Sequence, residues 1–298
     1  MKRLLIDRLH DRIWKEASGW MTVESLSNTG GTGSRGSVSG TMAWPAACSA
    51  LANQERDSRN FRRERAVREV VETLGPSDGR HHARCISKSA PELLEDPHVR
   101  AVDAWGDPIR WPRFLLGTPT PFSPTTLRYL SHALWLREKG FIEPRGTVVE
   151  IGVGFGGLAA MNAIVSETRT VLVDLPAVTQ AALRTMEEIG LAEFTISAGE
   201  SDLRGEYCVV SNYAFTELTT DLQDHYIDRY LRRSSSGMIV SNANIFSRSI
   251  GGRNDEALVS ALRAAGIPAQ LDRQNSLLGP SDHLAGVALI TWKKTASP

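Results

Sequence analysis

Residues 147–158 read TVVEIGVGFGGL, an apolar run rich in β-branched residues that leads into Gly152, Gly154, Gly156 and Gly157 and then into a helical pattern. Glycines let a backbone turn sharply and approach a ligand closely, and a helix N-terminus presents free amides and a partial positive charge. Gly152, Gly154 and Gly157 satisfy G-x-G-x-x-G, and the next apolar run ends at Asp174, about twenty residues on, where an acid can bind ribose hydroxyls. Strand, glycines, helix and second-strand acid in this order point to a nucleoside-bearing cofactor.

Glu150 bears on which cofactor. A carboxylate two residues before the first glycine lies near the ligand, where it would repel a dinucleotide's pyrophosphate. S-adenosylmethionine carries an ammonium and a sulfonium and is compatible with that charge. Two plainer roles stay open at this level: the glycines make a tight turn only, and Glu150 caps a helix or pairs with an arginine.

These residues need a scaffold. Short apolar runs at 148–151, 171–173, 208–210, 238–240 and 287–290 alternate with helical patterns at 157–166, 177–190, 218–232 and 255–266. Such alternation predicts an α/β fold, a doubly wound, Rossmann-like parallel sheet covered on both faces. Before it, Ser123-Pro124 caps and starts a helix that runs to about Gly140. Residues 76–124 carry seven prolines from Pro91 to Pro124 and read as an irregular connector without long elements. Residues 46–74 read as helical, with Arg56, Arg59, Arg62, Arg63, Arg65 and Arg68 among acids on a solvated face. Residues 25–40 are almost all Ser, Gly, Thr and Asn and read as a loop or linker after a short amphipathic stretch in residues 1–15. The expected division is 1–45 (helix and linker), 46–122 (helical and irregular) and 123–298 (the sheet domain).

Composition narrows the partners. Across 298 residues, 34 basic residues balance 34 acidic ones, so no global field gathers nucleic acid or anionic lipid. No segment approaches the roughly 18 apolar residues of a membrane span, and the first fifteen residues lack the apolar stretch of a signal peptide. Three isolated cysteines fit neither a disulfide framework nor a zinc site. The expectation is a cytoplasmic protein with a small-molecule partner, no nucleic acid, no membrane, and room for a homo-oligomer.

The run EIGVGFGG at 150–157 resembles the first motif of class I S-adenosylmethionine-dependent methyltransferases, and VLVDLP at 171–176 resembles their second-strand motif. FSPTTLRYL at 122–130, VDLPAV at 173–178 and SNYAFTEL at 211–218, with NFRRERAVREVVETL at 60–74, together resemble a bacterial family of sugar O-methyltransferases. The resemblance covers residues 55–294. It implies a class I methyltransferase domain in which Glu150, Gly152, Gly154 and Gly156 line the methionine part of the cofactor. It further implies that Asp174 holds the ribose, Leu175 packs on adenine, and Asn212 completes the cofactor site.

In-line methyl transfer to a hydroxyl needs alignment and a base. Candidates are Glu217, past the fourth strand, His283, before the last strand, and His132, on the helix after FSPTTLRYL. Glu217 could equally cap a following helix, and either histidine could be structural. Tyr129 and Tyr213 are the candidate acceptor-binding residues. Asp221, Asp224 and Asp228 have helical spacing that suits a solvated face better than a cation, so no metal is expected. The reading is an O-methyltransferase acting on a sugar or sugar-bearing metabolite. The alternatives are an NAD(P)-dependent oxidoreductase and a catalytically silent nucleoside-binding protein.

Overall fold

The computed structural model describes Ser37, Gly40, residues 43–197, Leu203 and residues 205–294. The expected stretch at 1–15 and most of the Ser/Gly-rich segment lie outside the described residues. Among those described, seven strands form one sheet. They are β1 (Thr147–Ile151), β2 (Arg169–Val173), β3 (Thr195–Ser197), β4 (Tyr207–Asn212), β5 (Ser236–Ser241), β6 (Gln270–Asp272) and β7 (Ala288–Lys293). Their order is β3-β2-β1-β4-β5-β7-β6, with β1 to β5 parallel and β7 antiparallel to both β5 and β6.

The expected doubly wound sheet is present, and its strand order reverses between β1 and β4. That switch point opens a crevice at the carboxyl ends of the strands, where ligands bind in such sheets. Register brings Ile151 beside Val173 and Asn212 beside Val240, and the antiparallel β7 enters the same edge at Ala288, opposite Ser241.

The helices are α1 (Trp44–Ala52), α2 (Pro76–Ser89), α3 (Pro97–Ala104), α4 (Pro124–Glu138), α5 (Gly157–Ser166), α6 (Pro176–Glu188), α7 (Thr220–Arg229), α8 (Ala243–Ile250), α9 (Asp255–Ala264) and α10 (Pro280–Ala285). Alternate strand residues feed two cores, as the period of a strand requires. Val148, Leu172, Cys208, Val210 and Met238 pack under α1, α2, α4, α5 and α6, in a core that runs from Trp44 to Leu289. Val149, Val171, Val209 and Ile239 pack against α7 and α9. Glu150 therefore shares the Val148 face, beneath α4 and α5.

Two expectations need correction. The proline-rich region is not an irregular connector: it holds the fourteen-residue α2 and also α3. Pro76, Pro97 and Pro124 each occupy a first helical turn, where the missing amide costs nothing, so these prolines start helices instead of preventing them. Residues 46–74 do not form one helix. After α1, Asp57 caps a 3₁₀ segment, Ser58–Arg63, and a one-turn helix follows at Arg65–Arg68. Most of the arginine run is paired at the surface, but Arg62 is fully buried. The three-residue strands β3 and β6 carry no apolar run that sequence could reveal.

Candidate active site

The turn after β1 is built from glycines in the left-handed region, with φ of 82° at Gly152, 56° at Gly154 and 88° at Gly156. L-residues with a Cβ rarely adopt these values. At Gly152 an added Cβ would lie 2.0 Å from Ala214 Cβ, so the β1 turn and the segment after β4 touch there. At Gly154 it would meet nothing nearer than 3.8 Å, namely the Tyr129 hydroxyl and Val71. The N-terminal helices thus roof the turn. Tyr129 is buried edge-to-face on Phe155 of the turn, ring centroids 5.9 Å apart, and Phe155 stacks on Trp105 at 5.7 Å.

Asp174, just past β2, accepts the Val153 amide at 2.8 Å and the Leu175 amide at 2.7 Å, so it ties the turn to the start of α6. Burial raises its carboxyl to about 6, against the lowering effect of those backbone donors. Glu150 is buried, its Oε2 has no hydrogen-bond partner, and burial with the nearby Asp174 charge pushes its carboxyl well above the usual range. Glu150 therefore neither caps a helix nor pairs with an arginine through that oxygen. Beside Asp174 lies a hollow of about 310 Å³ walled by Pro176, Thr179, His225, Tyr226 and Arg229. The α7 residues in that wall gave no sequence signal beyond the exposure of a helix face.

The acceptor-side candidates converge at the end of β4. Arg128 sits between Tyr129 and Tyr213, its guanidinium carbon 5.2 Å and 5.1 Å from the two ring centroids. Tyr213 has φ 68° and ψ −41°, a strained conformation for a non-glycine residue, and donates its hydroxyl to Asp282 Oδ1 at 2.8 Å. Asp282 also accepts the Gly279 amide, and Asp78 of α2 accepts both the amide and the hydroxyl of Ser281. Helix α10 is thereby fastened to α2 and to the loop after β4.

His132 is buried, with its Nδ1 3.1 Å from Asn212 Oδ1, and burial above all lowers it to about 3. Glu217 does not cap α7, whose first turn has no side-chain cap. Its Oε1 instead accepts from the side-chain Nδ2 of Asn242 at 2.7 Å, and burial raises its carboxyl. His283 lies on the expected edge, in α10 and not in a loop, with its side chain exposed. Asp224 and Asp228 pair with Arg253 and Arg232, and among the described residues no group of three His, Cys, Asp or Glu is placed to hold a metal. Sequence reasoning missed His82 of α2, which lies in the segment read as irregular. Its ring is buried 5.7 Å from that of His132. No helix among the described residues is long and apolar enough to cross a membrane.

No protein-family model and no curated protein matches the chain. Among solved structures, it is similar to a candidate O-methyltransferase of Nostoc punctiforme, with 15% identity over 56% of this chain and 55% of that one, TM-score 0.43. An O-methyltransferase family protein of Burkholderia thailandensis gives 13% identity over 58% and 61%, TM-score 0.41. The chain thus covers little more than half of either protein. A third similar structure is the geranyl diphosphate C-methyltransferase of Streptomyces coelicolor in complex with Mg²⁺, geranyl diphosphate and S-adenosylhomocysteine, at 14% identity over 55% of this chain and 78% of that one, TM-score 0.43.

Proposed function

We propose that the chain is an S-adenosylmethionine-dependent O-methyltransferase that acts on a hydroxyl of a sugar or sugar-containing metabolite. The observation that carries this reading is the partnerless Oε2 of buried Glu150 beside Asp174, at the carboxyl ends of two adjacent central strands, flanking a turn of left-handed glycines. A buried and a half-buried acid beside a backbone cradle favour a ligand with a cationic end and a ribose, and disfavour a pyrophosphate.

Glu150, Gly152, Gly154 and Gly156 hold the amino-acid part of the cofactor. The buried Glu150 carboxyl, ionised with its proton released to solvent, would pair with the ammonium of that part. Asp174 accepts ribose hydroxyls with the lone pairs its two amide donors leave free. Leu175 and the hollow walled by Tyr226 take the base, and Asn212 lies at the join of the cofactor and acceptor sides. When bound, the cofactor supplies a methyl group on a positively charged sulfur. Tyr129 and Tyr213, held by Arg128, orient the acceptor, and the hydroxyl proton goes to the buried His132 or the half-buried Glu217. His283, exposed on α10, stands outside this set.

Thermal-shift titration with S-adenosylhomocysteine and with NAD tests the reading, because a ligand that binds only the folded state raises its stability. A shift with S-adenosylhomocysteine alone is expected. A shift with NAD alone would replace the methyltransferase with an oxidoreductase. Turnover of methyl donor over a panel of sugars separates an enzyme from a silent binding protein.

A further inference from the structure

Behind Tyr129 and Tyr213, four buried polar atoms of one cluster lack partners: His82 Nε2, His132 Nε2, Asn212 Nδ2 and Arg128 Nε. They come from three elements that meet at the switch-point edge. His82 is on α2, Arg128 and His132 are one turn apart on α4, and Asn212 ends β4. His82, Arg128 and His132 are buried almost completely.

The hydrogen bonds fix what each free atom can do. Ser131 donates its hydroxyl to Arg128 O at 3.0 Å, so its oxygen accepts at 2.7 Å from His82 Nδ1, which must carry the proton. Asn212 Oδ1 can only accept, so His132 Nδ1 is also protonated. Both Nε2 atoms are then bare lone pairs. Burial, first of all, lowers both imidazoles, and the neighbouring Arg128 charge adds to this, so both rings are neutral. Asn212 Nδ2 and Arg128 Nε are donors only. The cluster thus presents two unpaired acceptors and two unpaired donors, which is the complement of two hydroxyl groups that each donate once and accept once. A buried polar group left unpaired is costly, so a ligand supplying both roles twice is selected over one supplying them once. The two imidazoles alone would also suit a divalent metal, but Arg128 beside them opposes a cation.

Resting on the methyltransferase reading, we infer that this cluster is the acceptor site and takes a vicinal diol, with His82 and His132 accepting hydrogen bonds from the two hydroxyls and Asn212 and Arg128 donating to the two oxygens. His82 is a binding residue on this account. The second hydroxyl anchors the acceptor while the first is methylated.

The test uses the full chain loaded with S-adenosylhomocysteine, titrated with trans-1,2-cyclohexanediol and, as the one-hydroxyl control, cyclohexanol. Imidazole ¹⁵N shifts, assigned with His82→Phe and His132→Phe, report the nitrogens. The expected result is an unprotonated Nε2 on both rings, movement of both on adding diol, and diol affinity about fivefold above cyclohexanol, the worth of one net hydrogen bond. In His82→Phe that preference should disappear while S-adenosylhomocysteine affinity stays. A protonated Nε2 on either ring, no response to diol, or equal affinity for the two alcohols overturns the inference, and these wild-type readouts stand even where a variant does not fold. Perturbation by Zn²⁺ and not by diol would make the cluster a metal site. If S-adenosylhomocysteine does not bind, the cofactor reading fails on its own, and the diol titration of the ligand-free chain still decides the four-atom cluster.

Discussion

The guanidinium carbon of Arg62 lies 4.5 Å from the ring centroid of Phe155, so a fully buried arginine from the N-terminal region sits on the glycine turn. Arg62 is held by Glu72 at 2.6 Å, by the hydroxyls of Ser123 and Thr126, and by the carbonyls of Val102 and Trp105. One side chain thereby joins the 3₁₀ segment, α3, the start of α4 and the turn.

Removing one partner of such a pair leaves an uncompensated buried charge, which typically costs about 3–5 kcal/mol. Arg62→Met should lower stability on that scale in urea unfolding and weaken S-adenosylhomocysteine binding. Adding Glu72→Gln should restore a good part of the loss. Equal stabilities for the single and double variants would show that the pair is not what holds the turn.

The glycines should separate by position. Gly152→Ala forces a clash with Ala214 as well as an unfavourable φ and should destabilise the fold, whereas Gly154→Ala pays mainly the conformational cost of about 1–2 kcal/mol. Gly154→Val should block cofactor binding in a folded protein. Normal S-adenosylhomocysteine affinity in that variant, measured by calorimetry, would move the cofactor away from the turn.

Asp174 gives a pH dependence with two signs. Its folded value, about 6, lies above the unfolded carboxylate value, so the folded chain binds the proton more tightly. The stability this group contributes is full at low pH and is lost as pH rises towards 6. Ligand affinity runs the other way, because the ionised carboxylate is the better acceptor of ribose hydroxyls. S-adenosylhomocysteine affinity should rise about tenfold between roughly pH 5 and pH 7, and Asp174→Asn should flatten that rise. An unaltered slope in the variant would assign the titration to another group.

General-base loss typically lowers rate by about 10²–10⁴. His132→Gln or Glu217→Gln should show a loss of that size in single-turnover methyl transfer at saturating donor, while His283→Ala should stay near the wild-type rate. With His132 lowered to about 3, an imidazole limb near pH 6.5 is not expected if it is the base. A loss of that size in His283→Ala, with His132→Gln and Glu217→Gln near the wild-type rate, would return the role to His283.

The glycine turn and its two acids were legible because their parts are consecutive: Glu150 to Gly157 and Asp174 follow one another through strand, turn, helix and strand. Helix α5 and most of α6 and α9 stand where apolar spacing placed them. The cluster at the end of β4 was legible only in pieces. Tyr129, His132 and Tyr213 could be named for the acceptor and Asn212 for the cofactor, but nothing local joins His82 or Asp78 to them, and the prolines around α2 obscured its regular structure. Arg62 looked like its surface neighbours because burial of an arginine depends on carbonyls and hydroxyls that fold in from elsewhere.

The clamp between Asp78 and Ser281 spans 203 residues of sequence, whereas the Asp174 bonds to the glycine turn span 21. Local contacts close early and distant ones late in folding, and chains emerge N-terminus first. During synthesis the glycine turn can therefore close on Asp174 before α10 exists, while the wall around Tyr213 and Asp78 is completed only when Ser281 and Asp282 of α10 arrive.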